Sequence, residues 1–267
     1  MYYLLTEKFT EQQTQLVKMI QDVVPAEHIY LLGSTLLQRR TETVFMPEAP
    51  SCRHVGHYYV LVLVDDDANC AVLENKLENS CRQFIPVTAL VLHTAIFVEW
   101  LFAGHSFAVR VQQRAVLLYG EAISFHAVPI ATAVTTADTE KQKQQGVQKV
   151  TSFFAGAELY LLRKEYKMAA FMLHQCAEQG LLAMLKAGSG LHINTHNLDK
   201  LVRYCSMVNY HITEIFSRQN EQEERLFQLL QKAYIDTRYK DNYQINIVEL
   251  TAIKDMVAKL INIMEAP

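Results

Sequence analysis

Strand signals stop about halfway along this chain and do not return. From Gln144 onward the apolar residues recur at three- and four-residue spacing, the period of a helix with one buried face. Gln144–Lys164 carries Val147, Val150, Phe153, Phe154, Ala157, Leu161 and Leu162 on one stripe. Tyr166–Lys186 carries Ala169, Ala170, Leu173, Ala177, Gly180, Leu181 and Met184, small enough in places for a close helical neighbour. Gly188 and Gly190 predict its end. Thr195 is the expected N-cap of a helix over Asn197–Met207, and Gln219–Tyr239 and Ile247–Ala266 complete an antiparallel bundle with short links.

The first half mixes both periods. Thr6–Val24 is amphipathic through Phe9, Leu16, Met19, Ile20 and Val23, and Pro25 stops it. Ile29–Leu32 predicts a short strand feeding a tight turn at Gly33-Ser34, and Thr41–Val55, with two prolines, predicts a loop. Tyr58–Val64 (YYVLVLV) is apolar throughout, the pattern of a strand covered on both faces. It ends at Asp65-Asp66-Asp67. Ala71–Phe84 and Ile96–Ala103 predict helices and Val87–His93 a strand; Phe107–Gln112 and Val116–Tyr119 close this half. Residues 1–126 therefore form a modest α/β or α+β domain, and 127–143, whose Ala/Thr-rich run lacks bulky residues, form a linker. Residues 144–267 form the bundle, and the fold class is α+β.

Composition narrows the partners. A net charge of −3 supplies no general pull toward nucleic acid or an anionic membrane, and nothing points to DNA. The apolar window Val87–Phe102 is interrupted by His93 and Glu99 and is too short to cross a bilayer. The N-terminal segment has neither a basic start nor a small-residue cleavage site, and the five cysteines form no CxxC pair, so a reduced, cytoplasmic protein is expected. Cys52, His54 and His57 match no zinc spacing and read as scattered loop residues.

Chemistry concentrates at Lys232–Tyr243 (KAYIDTRYKDNY), the exit of a predicted helix whose stripe is Leu226, Leu229, Leu230, Ala233 and Tyr234. Arg238 lies four residues after Tyr234, on the same side. Arg238, Tyr239, Tyr243 and Tyr234 are the candidate phosphate- or nucleotide-binding residues, with a structural Arg238 pair to Asp236 or Asp241 as the plainer expectation. His174 and Glu178 share a helix face and are expected to be buried polar groups hydrogen-bonded to a neighbouring helix through Thr195 or His196.

The helical half resembles the HEPN family through YKMAAFMLHQCAEQGLLAML (Tyr166–Leu185), THNLDKLVR (Thr195–Arg203) and AYIDTRYKDNY (Ala233–Tyr243). The first half looks like a minimal nucleotidyltransferase domain, with a small mixed sheet. The carriers there are YLLGS (Tyr30–Ser34), HYYVLVLV (His57–Val64), PVTALVLHTAIFVE (Pro86–Glu99) and FAVRVQQRAVLLYG (Phe107–Gly120). The transferase resemblance implies Gly-Ser followed by Asp-x-Asp holding magnesium. Gly33 and Ser34 are present, but His57 and Tyr59 stand at the acid positions and Thr94 near the third. Asp65 and Asp67 spell Asp-x-Asp at the strand's far end, a weak alternative metal site read mainly as a solvated turn.

The HEPN resemblance implies a homodimer through the bundle. In active members it also implies metal-independent RNase action by an Arg and a His four to six residues later. No His occurs in Tyr239–Pro267, and the pair Arg203 and His211 has the wrong spacing. The expected function is therefore nucleotide or RNA binding without turnover and without a cofactor. The alternatives are a toxin-type RNase using Arg238 and Tyr243, and a nucleotidyl or adenylyl transferase with magnesium at Asp65 and Asp67.

Overall fold

A computed structural model describes residues 10–40, 51–65, 67–123, 136–239 and 243–266, with the side chains of 10, 36–40, 51–55, 136–143 and Tyr239 outside the description. The chain divides into two compact units, Met1–Ala133 and Val134–Pro267. A mixed four-stranded sheet in the first and a helical second unit make the protein α+β.

The first unit orders its strands β3-β2-β1-β4. These are β1 (Ala26–Arg40), β2 (Ser51–Val64), β3 (Val87–His93) and β4 (Val116–Tyr119). β2 is antiparallel to β1 and parallel to β3, and β1 is antiparallel to β4. The uninterrupted apolar run of β2 is explained by cover on both sides. Tyr58, Val60, Val62 and Val64 join a core with Leu16 and Ile20 of α1 (Thr10–Val23) and Leu77 of α2 (Cys70–Cys81). Leu61 and Leu63 are equally buried. Helix α3 (Thr94–Phe102) brings Phe97 against Tyr30, with ring centres 5.9 Å apart.

Two expectations fail here. β1 does not turn at Gly33-Ser34; it runs through them, with Gly33 opposite Tyr59 and Ser34 opposite Tyr58. The ladder absorbs the glycine with register shifts on either side, as a bulge does. Likewise Ser51–Val55, expected as loop, already belongs to β2, while residues 41–50 lie outside the described set. Phe107–Gln112 falls within α4 (Ser106–Arg114).

The second unit consists of α5 (Thr136–Leu162), α6 (Tyr166–Ser189), α7 (Leu198–Cys205), the short α8 (Ile212–Ile215), α9 (Glu221–Tyr239) and α10 (Ile247–Glu265). α5 begins at Thr136, inside the segment expected as linker, so the polar run before Gln144 is helical. α6 lies at the centre, and its small residues explain why. A Cβ on Gly180 would stand 3.0 Å from Leu260 and 3.1 Å from Met264 of α10, so glycine lets the two helices approach. The helix stops at Gly190, which adopts φ 81°, while Gly188 stays helical against Val208. The N-cap of α7 is Asn197, whose side chain accepts from the Lys200 N–H; Thr195 instead accepts from Asn197 N–H. α10 opens with a capping box between Asn246 and Glu249.

Candidate functional site

Three stretches distant in sequence meet at one point of the helical unit. α6 supplies Phe171, His174 and Glu178, spaced three and four residues apart on one face. α9 supplies Tyr234 and Arg238, also four apart. The segment between α6 and α7 supplies His196. The Tyr234 ring is the shared surface, stacked on His196 at 4.3 Å, on His174 at 5.3 Å and on Phe171 at 6.4 Å between ring centres. The Arg238 guanidinium carbon lies 4.2 Å from the Tyr234 ring centre and 5.5 Å from that of Phe171. Cation–π contact with two rings restrains the guanidinium, and its Nε donates to the Tyr234 carbonyl at 2.9 Å. Arg238 and His196 are exposed, whereas His174 and Glu178 are buried.

Beneath this surface runs a polar chain. His174 Nδ1 lies 2.9 Å from the Leu230 carbonyl, so it carries a hydrogen and donates. His174 Nε2 lies 3.3 Å from Glu178 Oε2, near enough for charge pairing but off the line of a well-formed hydrogen bond. The same oxygen accepts from His196 Nδ1 at 2.9 Å, and Gln179 Nε2 donates to Oε1 at 2.9 Å. Burial alone would raise the Glu178 pKa, but contacts with His174 and His196 outweigh it and hold the carboxyl below its ordinary value. The carboxylate thus orients His196 and leaves Nε2 as the ring nitrogen for a ligand.

The expected partners of Arg238 are placed differently. Tyr243 is buried, and its hydroxyl donates to the Leu229 carbonyl at 3.0 Å. Burial, then the Asp236 and Glu249 carboxylates, push its pKa well above that of an ordinary tyrosine. A phenol so held is neither a base nor a surface for stacking, which removes the Arg238–Tyr243 cleavage pair. Tyr239 closes α9 with its side chain outside the described residues, as is Asp241. His196 is the residue that a search downstream of Arg238 misses. The signal for it was the prediction that the buried Glu178 bonds to Thr195 or His196.

In the first unit, Gly33 and Ser34 sit within a strand ladder and form no phosphate-cradling loop. At the positions where the transferase resemblance calls for acids, His57 Nε2 is 2.8 Å from Thr88 Oγ1 and its ring contacts Tyr59. The Thr94 hydroxyl donates to Glu27, with the Val64 carbonyl 3.3 Å away. Asp65 and Asp67 are exposed at the end of β2, and among the described residues no group of three His, Cys, Asp or Glu side chains is arranged to hold a metal ion. A groove of about 470 Å³ beside Met184, Gly188 and Val208 lies some 20 Å along α6 from Phe171, by helical rise. No described helix is long and apolar enough to cross a membrane.

The family model of the HEPN domain matches residues 147–266, within the second unit. A crystal structure of a nucleotidyltransferase-like protein from Exiguobacterium sibiricum 255-15 aligns with 95% of this chain and 90% of its own, at 11% identity and a TM-score of 0.25. No curated protein matches the chain.

Proposed function

We propose that the helical unit binds a nucleotide or RNA through its phosphate groups, without turnover, at the surface formed by Arg238, Tyr234 and His196. The observation that carries this reading is the exposed Arg238 guanidinium 4.2 Å from the centre of the Tyr234 ring, a ring that also stacks on the exposed His196 imidazole. A guanidinium fork fits phosphate oxygens two at a time, and contact with the aromatic rings limits its freedom in advance. The His196 ring stacks on the same tyrosine, and Glu178 keeps that ring in place through Nδ1. The first unit has a mixed sheet without the acid set of a transferase and serves as a non-catalytic companion in this reading. Titration calorimetry with ATP, GTP and short RNAs tests the proposal. Binding that Arg238→Ala abolishes and His196→Ala weakens supports it, and absence of heat across the panel refutes it.

One observation favours a second reading, RNA cleavage. His196 bonded to a buried carboxylate resembles an oriented general base, and Arg238 lies where developing phosphate charge needs a cation. Metal-independent cleavage lost in both Arg238→Ala and His196→Ala supports it. Intact RNA after prolonged incubation with concentrated protein rejects it.

A homodimer through the bundle fits a specific surface. Lys254 on α10 reaches Glu158 on α5 at 3.5 Å, and Gly146 lies near Met264, so the two helices run antiparallel. That register sets Leu162, 82% exposed, alongside the first turn of α10, where Val248 is 73% exposed. This ridge is the proposed contact with a second copy.

A further inference from the structure

A thiol in the first unit is arranged for reaction, and neither the proposed binding site nor the sheet requires it. Cys70 is the first residue of α2, a helix of 12 residues, and is half-buried. Its Sγ lies 3.5 Å from Nε2 of His93, the last residue of β3. His93 Nδ1 faces the backbone carbonyl of Asp65 at 3.0 Å. A carbonyl only accepts, so the hydrogen of the neutral ring sits on Nδ1 and Nε2 presents a lone pair to the thiol. The parallel pairing of β2 and β3 sets Val64 opposite His93 and so fixes both ends of this relay. A nucleophile, a base in reach of it and a group that orients the base form the general pattern of an activated nucleophile.

We propose that Cys70 is an oxidisable thiol activated by His93, with a hydroperoxide as its reaction partner. His93 Nε2 takes the thiol proton as sulfur attacks one peroxide oxygen. The S–O bond forms and the O–O bond breaks. The leaving hydroxide takes the proton back from His93 and departs as water when the peroxide is hydrogen peroxide. Sulfur is oxidised by two electrons to the sulfenic acid, and the peroxide is reduced. The groups facing the thiol explain why the base is needed. Burial and the Glu74 carboxylate on α2 raise the Cys70 pKa, against which its own backbone N–H at the helix start acts to lower it. At rest the thiol is protonated. The other described cysteines are inert by comparison, since burial pushes Cys81 to about 11 and Cys176 to about 12, and pushes Cys205 higher still.

The test treats the full chain, in a Cys52→Ser background, with hydrogen peroxide and traps sulfenic acid with dimedone before peptide mass spectrometry. Cys70 carries the adduct, Cys70→Ser removes it, and His93→Gln slows its formation at least tenfold at pH 7. Equal rates in the His93→Gln chain, or adducts spread evenly over the remaining cysteines, overturn the proposal. The wild-type rate against pH provides a check that needs no variant. Base assistance gives a rate that levels off below pH 8, whereas a rate that rises only beyond about pH 9, as for an unaided thiol, also overturns it.

Discussion

Glu178→Gln changes a single charge at the centre of the candidate site and keeps its shape. In the wild type, Glu178 Oε2 accepts from His196 at 2.9 Å and lies 3.3 Å from His174 Nε2, while Oε1 accepts from Gln179. An amide has one oxygen and one NH₂. Whichever way it is turned, it sets two donors against each other, at Gln179 or at the histidine pair. Hydrogen bonds to a buried charged group contribute roughly 1.5–3 kcal/mol each, and the amide loses the charge from all of them and the acceptor from at least one. We expect a loss of about 2 kcal/mol, read as a fall of about 1 M in the urea midpoint for a slope of about 2 kcal/mol per M. Far-ultraviolet circular dichroism follows the helical unit. A midpoint at pH 7 equal to or above that of the wild type refutes the reasoning.

The same variant makes a signed prediction in pH. The folded protein holds the Glu178 pKa below the ordinary value of 4.5. The stabilisation is therefore fully present above the unfolded pKa and is lost as pH falls through the lower folded value. The gap between wild type and Glu178→Gln is wide at pH 7 and closes below about pH 4.5, the unfolded value. A gap that widens on acidification would show that the carboxylate is not what the histidines stabilise.

Other substitutions separate roles that the sequence alone conflates. Tyr243→Phe removes the hydroxyl that donates to Leu229, costing about 1 kcal/mol in denaturant melts, yet leaves ligand affinity in calorimetry unchanged because the ring faces the core. Asn246→Ala breaks both arms of the capping box before α10 and lowers stability by about 1 kcal/mol in the same melts. Leu61→Ala opens a cavity in a strand buried on both faces and costs about 3 kcal/mol, measured by the fluorescence of Trp100 in the same unit. Leu162→Glu together with Val248→Glu shifts sedimentation toward the monomer without lowering the melting temperature, since both side chains are exposed.

Periodicity carried the helical unit far: the α6, α9 and α10 segments and the buried run of β2 follow from spacing, because each buries one stripe or two faces. Two local signals misled. Gly33-Ser34 reads as a turn by composition, but pairing along β1 and β2 outweighs local preference and carries the strand through as a bulge. Thr136–Lys143 lacks an apolar stripe, yet a helix already nucleated by the packed segment after it extends at little cost through polar residues. Prediction of the short α8 was out of reach, since its four residues span barely one turn.

The site was legible in parts and not as a whole, for a physical reason. Spacing on one helix identifies side chains that share a face, so Tyr234 with Arg238 and His174 with Glu178 could both be read directly. It says nothing about which segment returns to cover that face. The family pattern directed attention downstream of Arg238, and there the fold uses its only aromatic successor with a described side chain, Tyr243, as a buried plug. The imidazole that stacks on Tyr234 comes instead from upstream, and its address was encoded in a cost. A carboxylate at position 178 facing the bundle interior must find donors or go unsatisfied, and one donor within reach is the exposed loop residue His196. In this chain a buried charge that needs partners locates a surface group that the motif does not.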